Sequence, residues 1–76
     1  MERTVREGAL YRHFKGNVYR VIAVARHTES DEMLVVYRAK DGGTVYARPL
    51  AMFLSPVDKE KYPDVSVKYR FEEVEP

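Results

Sequence analysis

The chain has 76 residues, one-third of them charged, with no cysteine and no tryptophan. That length makes one domain, the missing cysteine excludes a disulfide or thiolate–metal brace, and no apolar run approaches the roughly 20 residues of a membrane helix. The N-terminal MERTVREG lacks the apolar segment of a signal peptide, so the expectation is a cytoplasmic protein without a membrane partner. The net charge of +1 divides into +3 over residues 1–54 and −2 over residues 55–76, well short of an ordinary nucleic-acid footprint.

Residues 1–7 carry one apolar anchor, Val5, and read as an arm or a short edge strand. From there the pattern is that of a single β domain over residues 8–74. Lys15-Gly16-Asn17 supplies residues that tolerate positive φ, so Leu10–Phe14 and Val18–Arg26 read as a hairpin. The second of these strands is rich in β-branched and aromatic residues, with Tyr19, Val21, Ala23 and Ala25 on one face and Val18, Arg20, Ile22, Val24 and Arg26 on the other. Neither face is cleanly polar, as when a sheet curls on itself. After the polar turn RHTESDE, Met33 to Lys40 alternates as a third strand, and Asp41-Gly42-Gly43 predicts a second hairpin into Thr44–Arg48. Pro49 opens one helical turn that Ser55-Pro56 stops, with Leu50, Met52 and Phe53 plugging an open end. Asp58 to Asp64 is loop. Val65 to Val74 is a last strand, with Val67, Tyr69 and Phe71 sharing a face. Short strands, frequent turns and almost no helix predict a small all-β, SH3-like barrel or roll of about five strands.

The words YRHFKGNVYRV, ARHTES, VVYRAKDGGTVYARPLAMF and YRF, in that order, resemble a small bacterial family of uncharacterised proteins, the domain of unknown function catalogued as 1653. The resemblance covers residues 8–71. It implies a compact SH3-like fold and no activity. The family pattern His-Ser-Glu-Thr is replaced here by His27-Thr28-Glu29-Ser30. Tyr46 stands where many relatives carry tryptophan ahead of the Arg-Pro pair, which makes any stacking surface there smaller.

Three groups of residues could carry chemistry. His13, His27 and Glu29 provide two imidazoles and a carboxylate, the donor types of a zinc or iron site or of an acid–base enzyme. Their spacing fits no ligand motif, and a turn histidine more often bonds a backbone carbonyl. Arginines 12, 20, 26, 38 and 48 interleave with tyrosines 11, 19, 37 and 46. Guanidinium forks suit phosphate or carboxylate and tyrosine faces suit bases or proline, although cross-strand packing accounts for most such pairs. Thr28, Glu29, Ser30 and Asp31 could bond a ligand, or only their own backbone. No nucleophile elbow and no phosphate loop is present.

The sequence thus points to a non-enzymatic binding or scaffold module with no cofactor. Its expected ligand is anionic or aromatic, a peptide or nucleic-acid segment, held by Tyr11, Arg12, His13, His27, Thr28, Glu29, Tyr37 and Arg48. The rivals are an enzyme built on His13, His27 and Glu29, and an oligomerisation domain. The protein is expected as a monomer or a small homo-oligomer.

Overall fold

The sheet forms because each hairpin turn has the residues its backbone demands. In the computed structural model, which describes residues 4–74, Gly16 lies at φ 109° and Gly42 at φ 98°, left-handed values that an L side chain would strain. Between and around those turns run β1 (Leu10–His13), β2 (Val18–Arg26), β3 (Met33–Ala39) and β4 (Val45–Pro49), followed by α1 (Leu50–Phe53) and β5 (Phe71–Glu73). The strands make one antiparallel sheet in the order β4-β3-β2-β1-β5. The all-β expectation is met, but the sheet is open: among the described residues no ladder joins its edges, β4 and β5.

Register assigns the faces. Tyr11 lies opposite Tyr19, Val21 opposite Tyr37, Val35 opposite Arg48, Tyr37 opposite Tyr46, and His13 opposite Phe71. Directly opposed residues share a face, so these side chains form one inner face. Tyr11, Val21, Val35, Tyr37 and Phe71 are buried there, and Phe53 of α1 caps them. Phe53 stacks on Phe71 at 4.0 Å between ring centres and meets Tyr11 and Tyr37 edge-on at 5.4 and 5.6 Å. The outer face carries Arg12, Arg20, Arg38 and Val45, all exposed.

Three expectations need correction. The alternation predicted for β2 breaks at a β-bulge between Val21 and Ala23. The extra residue, Ile22, projects into solvent, and the parity flips, so Val24 rather than Ala23 lies opposite buried Val35. In the helical turn Leu50 and Phe53 face the core, but Met52 is exposed, because a four-residue turn presents only one side inward. The last strand is short. Residues 65–70 leave the sheet and fold against residues 55–59: Arg70 donates to the Ser55 carbonyl at 3.0 Å, Val57 to the Lys68 carbonyl at 2.8 Å, and the Lys59 ammonium to the carbonyls of Val65 and Val67. Of the three residues expected to share a face, Phe71 alone is buried. Residues 4–9 form no strand, yet they are tied to β2. Gly8 donates to the Val21 carbonyl at 2.8 Å, the Glu7 carboxylate accepts the Val24 N–H at 2.9 Å, and Val5 packs on the core.

Candidate functional site

The surface expected from sequence divides into three places. His13 ends β1, its N–H bonded to the Asn17 carbonyl at 2.8 Å, beside the start of β2. His27 follows the other end of β2. The eight steps between the first and last of the nine residues of β2, at about 3.3 Å each, separate those ends by about 26 Å, so the two imidazoles cannot meet at one metal ion or one substrate. Among the described residues no three His, Asp or Glu side chains are grouped to hold a metal. His27, Thr28 and Glu29 belong to the β2–β3 turn. There the His27 Nδ1 accepts the N–H groups of Glu29 and Ser30, at 3.1 and 3.3 Å, and the Ser30 hydroxyl accepts the N–H of Glu32. This turn chemistry uses the His27 ring and the Ser30 hydroxyl, two of the polar groups that suggested a ligand. It also inverts the expectation for the histidines, which accept backbone N–H groups rather than donating to carbonyls. Asp31 completes the turn at φ 64°, with its carboxylate paired to Arg26 at 2.9 Å.

Arg12 is separated from its neighbours by strand parity. Tyr11 enters the core, its hydroxyl accepting the Arg6 N–H at 3.1 Å, and Arg12 therefore points to the outer face.

The remaining three converge. His13, Tyr37 and Arg48 lie around the ring of Phe71, on the inner face. His13 meets that ring edge-on at 4.9 Å, the Arg48 guanidinium lies 5.3 Å from its centre, and Tyr37 is 5.6 Å away. The curl of the sheet makes this meeting, since Arg48 is on one edge strand and Phe71 on the other. One guanidinium nitrogen of Arg48, Nη1, is buried and donates to no oxygen. Among the described residues no carboxylate pairs with Arg48.

The electrostatics follow from this packing. Burial first, then Arg48, Lys15 and Arg70, holds the His13 pKa below its usual value. Its Nδ1 accepts the Lys15 N–H at 3.1 Å, which leaves Nε2 to carry the proton of the neutral ring. Burial raises the Tyr37 pKa, against the opposing pull of the Arg48 guanidinium.

Sequence reasoning missed Tyr19 and Tyr46 as members of this place. Tyr46 is two residues before Arg48 on β4, hence on the same face. It is 47% exposed, 5.7 Å from Tyr37 and 6.4 Å from Tyr19. Tyr19 and Tyr46 floor an open groove of about 560 Å³ between the two hairpin turns, walled by Asn17, Lys40, Asp41 and Thr44. The period-two spacing of Tyr46 and Arg48 was the available signal. A second groove, of about 260 Å³, runs beside His13 and is lined also by Arg12, Tyr69, Glu72 and Glu73.

In comparison with known proteins, the family model described as "Protein of unknown function (DUF1653)" matches residues 9–73. No curated protein and no solved structure matches the chain.

Proposed function

The chain belongs to the DUF1653 family, and from that premise we propose that it is a binding module without catalytic chemistry. Its ligand joins an anionic group to a flat apolar portion, as an acidic peptide segment with proline or tyrosine does. Arg48 carries this reading. Its guanidinium is half-buried against aromatic rings, with one nitrogen unbonded and no carboxylate partner. A charge partly withdrawn from water without a counter-ion is costly, and a ligand carboxylate approaching the exposed part of the guanidinium would supply one. The adjoining floor of Tyr19 and Tyr46 suits proline or an aromatic ring, and the groove has the volume of an ordinary small-ligand or peptide site.

The test is a titration of isotope-labelled protein with a blocked acidic pentapeptide containing proline and tyrosine, followed by amide chemical shifts. The expected result is saturable change at Tyr19, Tyr46 and Arg48. Loss of a charge-assisted contact weakens binding about 10- to 100-fold in Arg48→Gln, and Tyr46→Ser weakens it also. Unchanged spectra at millimolar peptide, or equal affinity in Arg48→Gln, would overturn the reading.

A second reading, self-association through β4, draws on the exposure of Val45 (53%) and Tyr46 on an edge strand that carries no lysine, and no proline before Pro49. Such edges pair readily with another strand. Light scattering that shows one mass across a 100-fold dilution would dismiss it.

A further inference from the structure

Three adjacent strands each carry a Tyr-Arg pair: Tyr11-Arg12 on β1, Tyr19-Arg20 on β2 and Tyr37-Arg38 on β3. Successive side chains on a strand point to opposite faces. The tyrosines therefore go to the inner face and the arginines to the outer one. Arg20 lies directly opposite Arg38, and Arg12, opposite Val18, is its diagonal neighbour on the other side. Lys40, in the turn after β3 where it also walls the Tyr19–Tyr46 groove, extends the patch at its rim, its N–H bonded to the Val18 carbonyl at 3.0 Å. All four cations are exposed. Among the described residues the side chains of Arg12, Arg38 and Lys40 make no hydrogen bond or ion pair, while the Arg20 guanidinium donates to the Gly8 carbonyl at 2.7 Å. The one carboxylate in register is Glu72, opposite Arg12 at the flank. Like charges directly opposed across two strands destabilise a sheet. A carboxylate at position 38 would turn that repulsion into an attraction.

We infer that this exposed face docks the phosphate backbone of duplex nucleic acid, without reading sequence. Three features select that partner. Arginine's planar fork suits phosphate oxygens, and cations spaced across neighbouring strands at roughly 5–8 Å suit a run of phosphates better than one isolated anion. Every tyrosine of the sheet is on the other face and Tyr69, in the groove beside Arg12, is a single ring at the flank, so this face lacks the row of stacking rings that single-strand binding would use. The exposed large apolar residues of the face are Ile22 and Val45, too few and not aromatic enough for insertion into a lipid surface. Four cations give a weak, salt-sensitive interaction. With about four phosphates neutralised, affinity falls roughly 100-fold between 50 and 200 mM salt.

The experiment is fluorescence anisotropy of the full chain with labelled 16-base-pair DNA and RNA duplexes at both salt concentrations. Thermal melts run beside it. The variants are Arg20→Gln/Arg38→Gln, Arg38→Glu, Arg48→Gln and Lys61→Gln. Micromolar to sub-millimolar binding at low salt is expected for the wild type, Arg48→Gln and Lys61→Gln. A tenfold or greater loss is expected for both outer-face variants. Arg38→Glu should melt at or above the wild-type temperature, since it removes a like-charge pair, so its lost binding is not lost folding. Equal duplex binding by wild type and Arg20→Gln/Arg38→Gln would overturn the inference. So would binding to phosphatidylserine vesicles with none to either duplex, or a lower melting point for Arg38→Glu with duplex binding unchanged.

Discussion

His13 is held neutral by its surroundings, and that state has a consequence for stability. Its folded-state pKa lies below the usual 6.5, through burial and then through Arg48, Lys15 and Arg70. At pH above 6.5 neither folded nor unfolded chain binds the proton, so the residue contributes no pH dependence. As pH falls below 6.5 the unfolded chain takes up a proton that the folded chain refuses until its own lower pKa is reached. Stability declines through that window. The variant His13→Asn should lose less stability than wild type between pH 7.5 and 5, as measured by denaturant titration at both values; identical losses would show that His13 does not titrate differently on folding. Tyr37 offers a second readout of the same cluster. Burial raises its pKa and Arg48 opposes the rise. Removing the guanidinium in Arg48→Met should raise it further, seen as phenolate absorbance appearing at higher pH. A tyrosine titration unmoved by Arg48→Met would place the guanidinium away from the phenol.

Among the elements, β2 and α1 show what a sequence pattern reveals and what it conceals. The bounds of β2 were legible because Val18–Arg26 is dense in β-branched and aromatic residues. Its faces were not, because a bulge adds one residue without any mark in composition, and every residue after Ile22 changes side. Substituting Ile22 by threonine should cost under about 0.5 kcal/mol, the range of an exposed site. Deleting it should cost several times that, because Val24 would lose its place opposite Val35. Chemical denaturation of both variants checks the difference, and a deletion as mild as the substitution would mean the bulge is dispensable. For α1, Pro49 announced the turn, and Phe53 fills the cup formed by Tyr11, Tyr37 and Phe71. The variant Phe53→Ala should lose about 3–5 kcal/mol and Met52→Ala about 0.5 kcal/mol or less. If both melts shift alike, the turn does not plug the core through Phe53.

At the scale of the whole molecule, the class of fold was readable because turn glycines and period-two strands are local signals. The candidate site was not, because it depends on which sheet edge curls toward which. Arg48 and His13 lie 35 residues apart in sequence and meet through Phe71, a third residue on the opposite edge. His27, 14 residues from His13, lies a strand's length away, so closeness in sequence misled. The same non-local logic applies to the arm. Residues 1–7 read as an arm or a short edge strand with one apolar anchor; Val5 packs on the core, the Glu7 carboxylate bonds the Val24 N–H beside the bulge, and Arg6 pairs with Glu73 at 2.6 Å. The Arg6–Glu73 pair is exposed and contributes little. Burying part of a valine and bonding a charged acceptor to a main-chain N–H together contribute about 2–3 kcal/mol. A chain starting at Gly8 should therefore melt roughly 8–24 °C lower than the full protein, as about 4–8 °C is lost per kcal/mol in a domain of this size. The comparison is made by heating both under identical buffer. Glu7→Gln in the full chain isolates the carboxylate's share, with a smaller drop expected. Equal melting of the truncated and full chains would leave residues 1–7 as an arm without a share in stability, and the bulged end of β2 would then owe its order to β3 alone.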